Sequence, residues 1–431
     1  MYNCHIPQPA SSLTPRHLRP RLLEALGDSR AVALLGARQV GKSTLVHEIA
    51  RSAYPAEYIS LDEPAAARAA RSDPTEMIAN LRGPAVIDEI QRAPDLLLAI
   101  KVKLDSDNSR GQFLLTGSAD LLTLPTIADA LPGRVQYLRL WPFSHAELCG
   151  VRSSFVDLVF AGRFPKVTDA PPGRRAIAAM LLEGGYPEAQ GQAPRGLTRF
   201  FESYVESLLS RDLSDVANVR EPSNLSDVLQ MIAARSGTIL NVNGIARDLG
   251  ISRVTVEKHV AILERLFLVR RVRAWHRNLG AKLVKSPKVH VVDSGLLAHL
   301  TGADETRIVE DGTLAGAILE SFVAMELVRL AEISERPPSI HHYRDQRQRE
   351  VDVILERRSG EIVGVEVKAG ASPDADDFAG LRHLRDTLGE RFKAGVLIYT
   401  GTQTLPFGDR LAAVPVSGLW QGDRLDTPRA S

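Results

Sequence analysis

The run from Gly36 to Ser43, with the sequence GARQVGKS, contains residue types that hold the phosphates of a nucleotide. Its glycines let the backbone wrap so that consecutive N–H groups point at one anion. Lys42 is expected to reach the β- and γ-phosphates, and the Ser43 hydroxyl to bind Mg²⁺. We therefore predict an ATP site with a magnesium ion. The predicted ATP contacts in this run are Gly36, Ala37, Arg38, Gln39, Val40, Gly41, Lys42, Ser43 and Thr44.

Two adjacent carboxylates, Asp88 and Glu89, end a second apolar run. Asp88 is expected to hold the Mg²⁺ shell, and Glu89 to orient and deprotonate the attacking water. A kinase or a pure switch needs the first carboxylate but often not the second. A solvated strand end is the alternative, and the typical separation from Lys42 weakens it. The pair therefore favours hydrolysis of ATP.

Hydroxyl groups end a third apolar run, at Thr116 and Ser118. If this run lies beside the one that precedes Gly36, either hydroxyl would lie next to the γ-phosphate and could sense it. We take Ser118 as the catalytic candidate. Hydroxyls at strand ends also cap helices, so the signal is weaker than that of the acidic pair.

Short β-rich runs alternate with helical stretches from Leu22 to Leu140, which is typical of a parallel sheet covered by helices. The five predicted strands are Ala31–Gly36, Tyr58–Leu61, Ala85–Asp88, Gln112–Thr116 and Val135–Leu140. A mainly helical region follows, interrupted by the breakers Pro171-Pro172-Gly173 and Gly184-Gly185-Tyr186-Pro187. This region is predicted to be a lid.

The next part predicts a winged helix, with a helix over Val242–Leu249 and a second over Val254–Leu266 that Ser252 caps. Eight basic and no acidic side chains lie between Arg265 and His290, a local excess suited to a phosphate backbone. Winged helices also serve packing or partner binding. The candidate DNA contacts are Arg253, Lys258, Arg271 and Arg273, with Trp275 and His276 available to stack.

Acidic residues and a lysine recur in the last part of the chain. Glu320 lies on the predicted helix Leu314–Leu330, Asp352 in a strand, and Glu366 and Lys368 at the end of the next strand. Such a set at a sheet edge can bind Mg²⁺, activate a water and stabilise a phosphodiester transition state. Acidic residues in a strand also arise for solubility alone. The set is therefore a candidate nuclease site.

Five motifs, GARQVGKSTL, VIDEIQ, LLTGSA, PGRVQYLRLWPFS and GGYPE, occur in the order that resembles AAA-type ATPases of the AAA+ superfamily from bacteria and archaea. Those proteins carry a C-terminal domain of uncharacterised function. The resemblance implies that Arg134 is an arginine finger or sensor, with a surface salt bridge as the alternative. It also implies that Gly185 and Pro187 belong to a lid that contacts the adenine, and it suggests Arg211 as a second lid sensor.

The C-terminal set resembles the PD-(D/E)XK nuclease superfamily, with Val351 where the name-giving proline would stand. The predicted fold class is α/β: a P-loop NTPase parallel sheet, a helical lid, a winged helix and a C-terminal α/β nuclease-like domain. The predicted bounds are 1–143 for the ATPase core, 144–220 for the lid, 221–300 for the winged helix and 301–431 for the last domain.

The formal net charge of +1 does not by itself predict nucleic-acid binding. Cys4 and Cys149 form no disulfide framework or zinc motif. No apolar run reaches the roughly 18 residues that span a bilayer, and we expect a cytoplasmic location. The leading hypothesis is an ATPase that acts on nucleic acid. A homo-oligomer is a candidate assembly, because an arginine finger that acts in trans requires a neighbouring copy of the chain. The rival is an ATP-gated switch whose C-terminal domains bind a protein partner and cut nothing.

Overall fold

The computed structural model describes residues 13–118, 133–167, 171–209, 222–276 and 286–424. A parallel sheet of five strands forms the first part. In chain order the strands are β1 (Ala31–Leu35), β2 (Glu57–Ser60), β3 (Ala85–Asp88), β4 (Phe113–Gly117) and β5 (Val135–Arg139). Every end lies within one residue of its predicted position, so the five strand predictions are confirmed.

The strand order in this sheet is β2-β3-β4-β1-β5, and every neighbouring pair is parallel. The strands β1, β3 and β4 are buried along their whole length, as the continuous apolar runs predict. Because β4 lies directly between β1 and β3, the loops that follow these three strands meet at one edge. The helices of this part are α1 (Arg19–Asp28), α2 (Lys42–Ser52), α3 (Pro64–Ser72), α4 (Pro74–Ala79) and α5 (Leu96–Ser106).

The predicted lid region contains a strand as well as helices. Its elements are α6 (His145–Leu148), β6 (Val151–Ser153), α7 (Phe155–Phe160), α8 (Arg174–Glu183) and α9 (Pro194–Ser207). The strand β6 pairs antiparallel with β15 (Gly422–Arg424), near the other end of the chain. The helix α7 also contacts the last domain, because the Arg357 guanidinium lies 4.0 Å from the centre of the Phe160 ring and donates to Asp157.

Three helices and an antiparallel pair of strands make up the next part: α10 (Pro222–Ala233), α11 (Val242–Leu249), α12 (Arg253–Arg265), β7 (Val269–Val272) and β8 (Lys288–Val291). Ser252 caps α12 by accepting a hydrogen bond of 3.0 Å from the Thr255 N–H, as predicted. An isolated bridge joins Ile239 to Lys288. This order of elements is consistent with a winged helix, which stays a prediction.

The last part opens with the helices α13 (Ser294–Leu300), α14 (Glu305–Glu310) and α15 (Gly312–Ile333). A sheet with the order β13-β14-β12-β11-β10-β9 follows, in which β11, β12 and β14 run parallel and the other pairs antiparallel. Its elements are β9 (Ser339–Arg344), β10 (Glu350–Glu356), β11 (Ile362–Lys368), α16 (Ala379–Leu388), β12 (Phe392–Tyr399), β13 (Leu405–Pro406) and β14 (Leu411–Pro415).

The helix α15 is buried on nearly all sides over its second half, which its largely apolar sequence requires. It contacts β8, β10 and β11, as well as α7, α8 and α13. Elements from the lid region, from the three-helix part and from the last sheet therefore pack around one helix. Within the described part of the chain, no helix is both long enough and apolar enough to cross a membrane.

Candidate functional site

The loop after β1 is shaped by two glycines. Gly41 has φ 90°, a left-handed conformation that glycine adopts without strain, and it directly precedes α2. A Cβ on Gly36 would lie 2.1 Å from the carbonyl oxygen of Leu140, so only glycine fits there. Close packing against the end of β5 is a reason for Gly36 that the sequence did not reveal.

The Lys42 ammonium is buried inside this loop. It donates hydrogen bonds of 3.0 Å and 2.9 Å to the carbonyl oxygens of Gly36 and Ala37. It also lies 4.0 Å from Oε1 of Glu89. Ser43 and Thr44 lie exposed on the first turn of α2. The loop thus presents a cation, the amino end of a helix and a hydroxyl group to one region, as an ATP site requires.

Asp88 at the end of β3 is fixed by two hydroxyl groups. The Tyr58 hydroxyl donates to Oδ2 at 2.7 Å, and the fully buried Thr116 hydroxyl donates to Oδ1. Burial, reinforced by the hydrogen bond to Asp88, raises the pKa of Tyr58, so this phenol stays a donor. Thr116 lies on β4 beside β1, as the sequence suggested, but it orients Asp88 from within the core. Tyr58 was not among the predicted site residues.

Glu89 has a left-handed backbone with φ 58°, which is uncommon for a residue with a side chain. Its N–H donates to the Thr116 hydroxyl at 2.9 Å, so one side chain on β4 holds both acidic residues. The Gln91 amide donates to the Glu89 carboxylate and to the Ser118 hydroxyl, the latter at 2.8 Å. Ser118 therefore reaches the site through Gln91, which the sequence analysis missed although it belongs to the quoted motif VIDEIQ.

Arg134 lies at the opposite edge of the sheet. Its carbonyl oxygen accepts from the N–H of Ala31, where β1 begins, and its guanidinium pairs with Asp105 at 2.5 Å. The five residues of β1 place it roughly 15 Å from the loop at Gly36. Arg134 therefore lies away from the phosphate loop of its own chain, and its guanidinium forms a salt bridge, the alternative given above. A role as a finger toward a neighbouring chain stays a prediction.

The predicted lid residues Gly185 and Pro187 lie against the end of the ATPase core. The Gly185 carbonyl accepts from the Phe143 N–H at 2.7 Å, and a Cβ on Gly185 would lie 2.2 Å from the Phe143 carbonyl oxygen. Pro187 begins a short 3₁₀ turn. Gly185 is thus packed against Phe143, while contact of Gly185 and Pro187 with an adenine stays a prediction. Arg211 lies outside the described residues.

A pair of tyrosines connects this lid to the phosphate loop. Tyr186 is fully buried, and its hydroxyl lies 2.9 Å from that of Tyr204 on α9. The Tyr204 hydroxyl donates to the carbonyl oxygen of Arg38 at 3.4 Å. A displacement of the loop residue Arg38 would therefore be transmitted to α9 through the Tyr204 hydroxyl.

Buried charges join the lid to the last domain. Asp293 accepts from the N–H of Gly185 at 2.7 Å and caps α13, and burial raises the pKa of its carboxyl group. Glu326 on α15 accepts from the N–H of His145 at 3.1 Å and from Arg329 at 2.8 Å. These groups line a small cavity together with Phe143, His145, Leu148, Met180, Gly184, Ser294 and Phe322.

Four basic residues predicted to contact DNA lie on the surface, and two of them are paired with acids. Arg253 bonds to Glu257 at 2.9 Å, and Arg271 bonds to Glu264 at 2.7 Å. Lys258 and Arg273 are exposed. The structure therefore leaves a basic surface along α12 and the end of β7, although its charge is partly offset. Arg277, Lys282 and Lys285 lie outside the described residues.

Arg270 of the basic run is partly buried, and Trp275 is buried. Arg270 lies 5.4 Å from the Trp141 ring, and burial lowers the pKa of its guanidinium. The Trp275 side chain is buried in the cluster that contains Val351. The Trp275 backbone N–H donates to the backbone carbonyl of His342 on β9. The expectation that Trp275 stacks on a nucleic acid is wrong, since its ring belongs to the core of the last domain.

Three of the four predicted nuclease residues come together, and the fourth does not. Glu320, Asp352 and Glu366 meet where α15 crosses β10 and β11. Lys368 instead turns to Asp377, with which it forms an ion pair. The cation beside the three acids is Lys288 of β8. Across the described ranges, no group of three or more His, Cys, Asp or Glu side chains is arranged to hold a metal ion.

Three family models match parts of the chain. Residues 28–149 match an AAA domain, residues 174–307 match a domain of unknown function (DUF8612), and residues 315–419 match another (DUF4143). The AAA-type ATPase core predicted from the sequence is thus confirmed for the first segment. The second match spans the predicted boundary between lid and winged helix at residue 220, and neither of the last two descriptions names an activity.

Relatives of known sequence match most of the chain. An uncharacterized protein of Mycobacterium tuberculosis is 28% identical over 407 residues, covering 94% of this chain and 84% of its own length. An uncharacterized protein of Haemophilus influenzae is 24% identical, covering 70% and 69%. Among solved structures, the Thermotoga maritima RuvB Holliday junction branch migration motor covers 60% of this chain and 90% of its own, with 17% identity and a TM-score of 0.27. That score is too low to support an argument about function.

Replacing Asp293 by alanine should destabilise the chain more than replacing an exposed cap of the same type. The change leaves the buried N–H of Gly185 without an acceptor, which costs about 1–3 kcal/mol in addition to the loss of the cap. Asp304 caps α14 in the same way but is exposed, so Asp304→Ala is the control. Unfolding in urea measures both changes, and equal losses would contradict a buried junction between the lid and α13.

Proposed function

We propose that this chain binds ATP with Mg²⁺ and hydrolyses it at the edge of the five-stranded sheet where β1, β3 and β4 end. The observation that carries this proposal is the meeting of a buried lysine and two acids there, with Lys42 4.0 Å from Glu89 and Asp88 next in sequence. The match of residues 28–149 to an AAA domain supports it independently.

The residues at this edge fit a nucleotide with a magnesium ion. Gly36 and Gly41 keep the loop free of side chains where its backbone wraps, and Ser43 is exposed beside it. Asp88 holds its carboxylate at the same edge. When bound, Mg²⁺ supplies positive charge against the phosphates, and Ser43 and Asp88 are the residues that would hold it.

Each protein group then has one task. Lys42 places its ammonium on phosphate oxygens instead of the two carbonyl oxygens that it now binds. Glu89 accepts the proton of the attacking water. Thr116 keeps the two acids in register, because its hydroxyl donates to Asp88 and accepts from the N–H of Glu89. Gln91 holds one oxygen of the Glu89 carboxylate, Oε2, while the other oxygen, Oε1, lies 4.0 Å from the Lys42 ammonium.

Two substitutions separate binding from hydrolysis. Lys42→Ala should abolish binding of a fluorescent ATP analogue, because the loop loses its one buried cation. Glu89→Gln should retain binding but lower the rate of phosphate release by about 10²-fold or more, since a general base contributes that much. Glu63→Gln, at an exposed site before α3, is the control and should change neither value. Full turnover by Glu89→Gln would show that the base has been assigned wrongly.

Nucleic-acid binding is a second candidate function, favoured by the exposed Lys258 and Arg273. Phosphate contacts require exposed basic side chains of this kind. The ion pairs of Arg253 and Arg271 instead favour the rival, a switch that binds a protein partner, because a protein surface can match alternating charges. Arg134 keeps a possible catalytic role only toward a neighbouring copy in a homo-oligomer.

Charge reversal at the end of β7 distinguishes these functions. Arg271→Glu with Arg273→Glu should weaken binding of duplex DNA and flatten the plot of log affinity against log salt by about 0.9 for each lost phosphate contact. Fluorescence anisotropy over a series of salt concentrations measures this, with Arg199→Glu, exposed on α9, as the control. Unchanged affinity for DNA would show that this surface does not contact DNA. If the unaltered chain does not bind DNA at all, the rival function of binding a protein partner is favoured.

A further inference from the structure

The carboxylate cluster of the last domain contains a cation that the chain itself supplies. The Lys288 ammonium on β8 donates hydrogen bonds of 2.7 Å to Oε1 of Glu320 and 2.8 Å to Oδ1 of Asp352. Lys288 is 3% exposed, so this is a buried ion pair rather than a surface contact. The two carboxylates come from α15 and β10, and the cluster therefore joins three elements.

The remaining acid of the cluster, Glu366, lies beside the Asp352 carboxylate. Burial, together with the charge of Asp352, raises the pKa of Glu366 far above its usual value. Although burial alone would raise it, the pKa of Asp352 is held low by Lys288 and by a hydrogen bond from Glu366. The other oxygen of Asp352 accepts from the N–H of Val367 at 3.0 Å, so both of its oxygens are occupied.

The backbone around Lys288 is fixed from the other side. Gly237 donates its N–H to the carbonyl of Val289 at 2.8 Å, and a Cβ there would lie 3.1 Å from the Glu320 carboxyl carbon. Ser236 bonds to the N–H of Val291 at 3.0 Å and lies 2.8 Å from the Ser321 hydroxyl on α15. The strand β8 is therefore linked to α15 through Ser236 and Ser321 as well as through Lys288 itself, and the ammonium is not a chance neighbour of the acids.

The lysine that the nuclease resemblance assigns to this site is elsewhere. Lys368 pairs with Asp377, and its side chain is half exposed. The resemblance implies a Mg²⁺ ion among Glu320, Asp352 and Glu366. These residues do not fit one as they lie here, because the Lys288 ammonium already bonds to both Glu320 and Asp352 and offsets their charge.

We propose that Lys288 is the resident cation of this cluster, that it docks β8 and its neighbouring helices onto the last domain, and that the cluster takes no divalent cation. The C-terminal domain then acts as a rigid platform for the part that carries α10, α11 and α12. This inference is independent of ATP hydrolysis.

The first test measures Mn²⁺ binding to the nucleotide-free full chain by electron paramagnetic resonance. All samples carry Asp88→Asn, so that the sheet edge contributes little. The proposal expects the same Mn²⁺ binding with and without Asp352→Asn. Binding that Asp352→Asn removes would overturn it, and this result does not depend on altering Lys288.

The second test compares two lysines in thermal unfolding of the otherwise unaltered chain. Lys288→Ala leaves buried carboxylates unpaired and should lower Tm by about 5–10 °C. Lys368→Ala breaks an exposed pair and should lower Tm by about 2 °C or less. Equal losses would overturn the docking role. If Lys288→Ala yields no folded protein, Lys288→Arg and Lys288→Met are compared instead. Lys288→Arg keeps the charge in a larger group, so its Tm should lie between that of Lys288→Met and that of the unaltered chain. A Tm of Lys288→Met above that of Lys288→Arg would overturn the proposal.

Discussion

The parallel pairing of β4 with its neighbours β1 and β3 is the constraint on which the site depends. It fixes Leu34 opposite Thr116 in register, so the loop after β1 lies at the same edge as the two acids that the buried Thr116 hydroxyl contacts. A shift of one residue along β4 would turn Thr116 to the other face of the sheet. The distances that matter for hydrolysis are thus set by apolar strands with no chemical function of their own. The completely buried apolar residues of these strands make such a shift costly.

Buried charged groups connect the lid, β8 and the last domain, and each has a named partner. Asp293 is satisfied by backbone N–H groups of the lid and of α13, and Glu326 by Arg329. Lys288 is satisfied by Glu320 and Asp352. Because an unpaired buried charge costs several kcal/mol, each cluster holds its elements in one arrangement. The helix α15 contributes residues to two of these clusters, so it connects the lid with the part of the last domain that contacts β8.

The sequence predicted the five strands of the ATPase sheet to within one residue, because buried parallel strands give continuous apolar runs. It missed β6, β8, β9, β13, β14 and β15. The strand β13 has two residues, and β9 reads SIHHYR, which lacks an apolar run. The cap Ser252 was predicted because capping is local, whereas Gly36 against Leu140 depends on a contact between distant residues.

The same limit explains the errors at the candidate sites. Lys288 is 32 residues from Glu320 and 64 from Asp352, and its basic neighbours made it resemble a surface strand. Trp275 beside arginines resembled a stacking residue, yet the fold needs its ring in the core. Arg134 precedes β5, and a strand in a parallel sheet begins at the edge opposite the loops of the ATP site. In each of these cases the position of the side chain was set by contacts between residues that are distant in the sequence.

Steady-state phosphate release by the purified, unaltered chain tests the central claim most directly. With ATP and Mg²⁺ we expect turnover that saturates with ATP concentration and stops when EDTA removes the metal. An absence of turnover in a folded chain that still binds ATP would contradict the claim that Asp88 and Glu89 form a hydrolytic site.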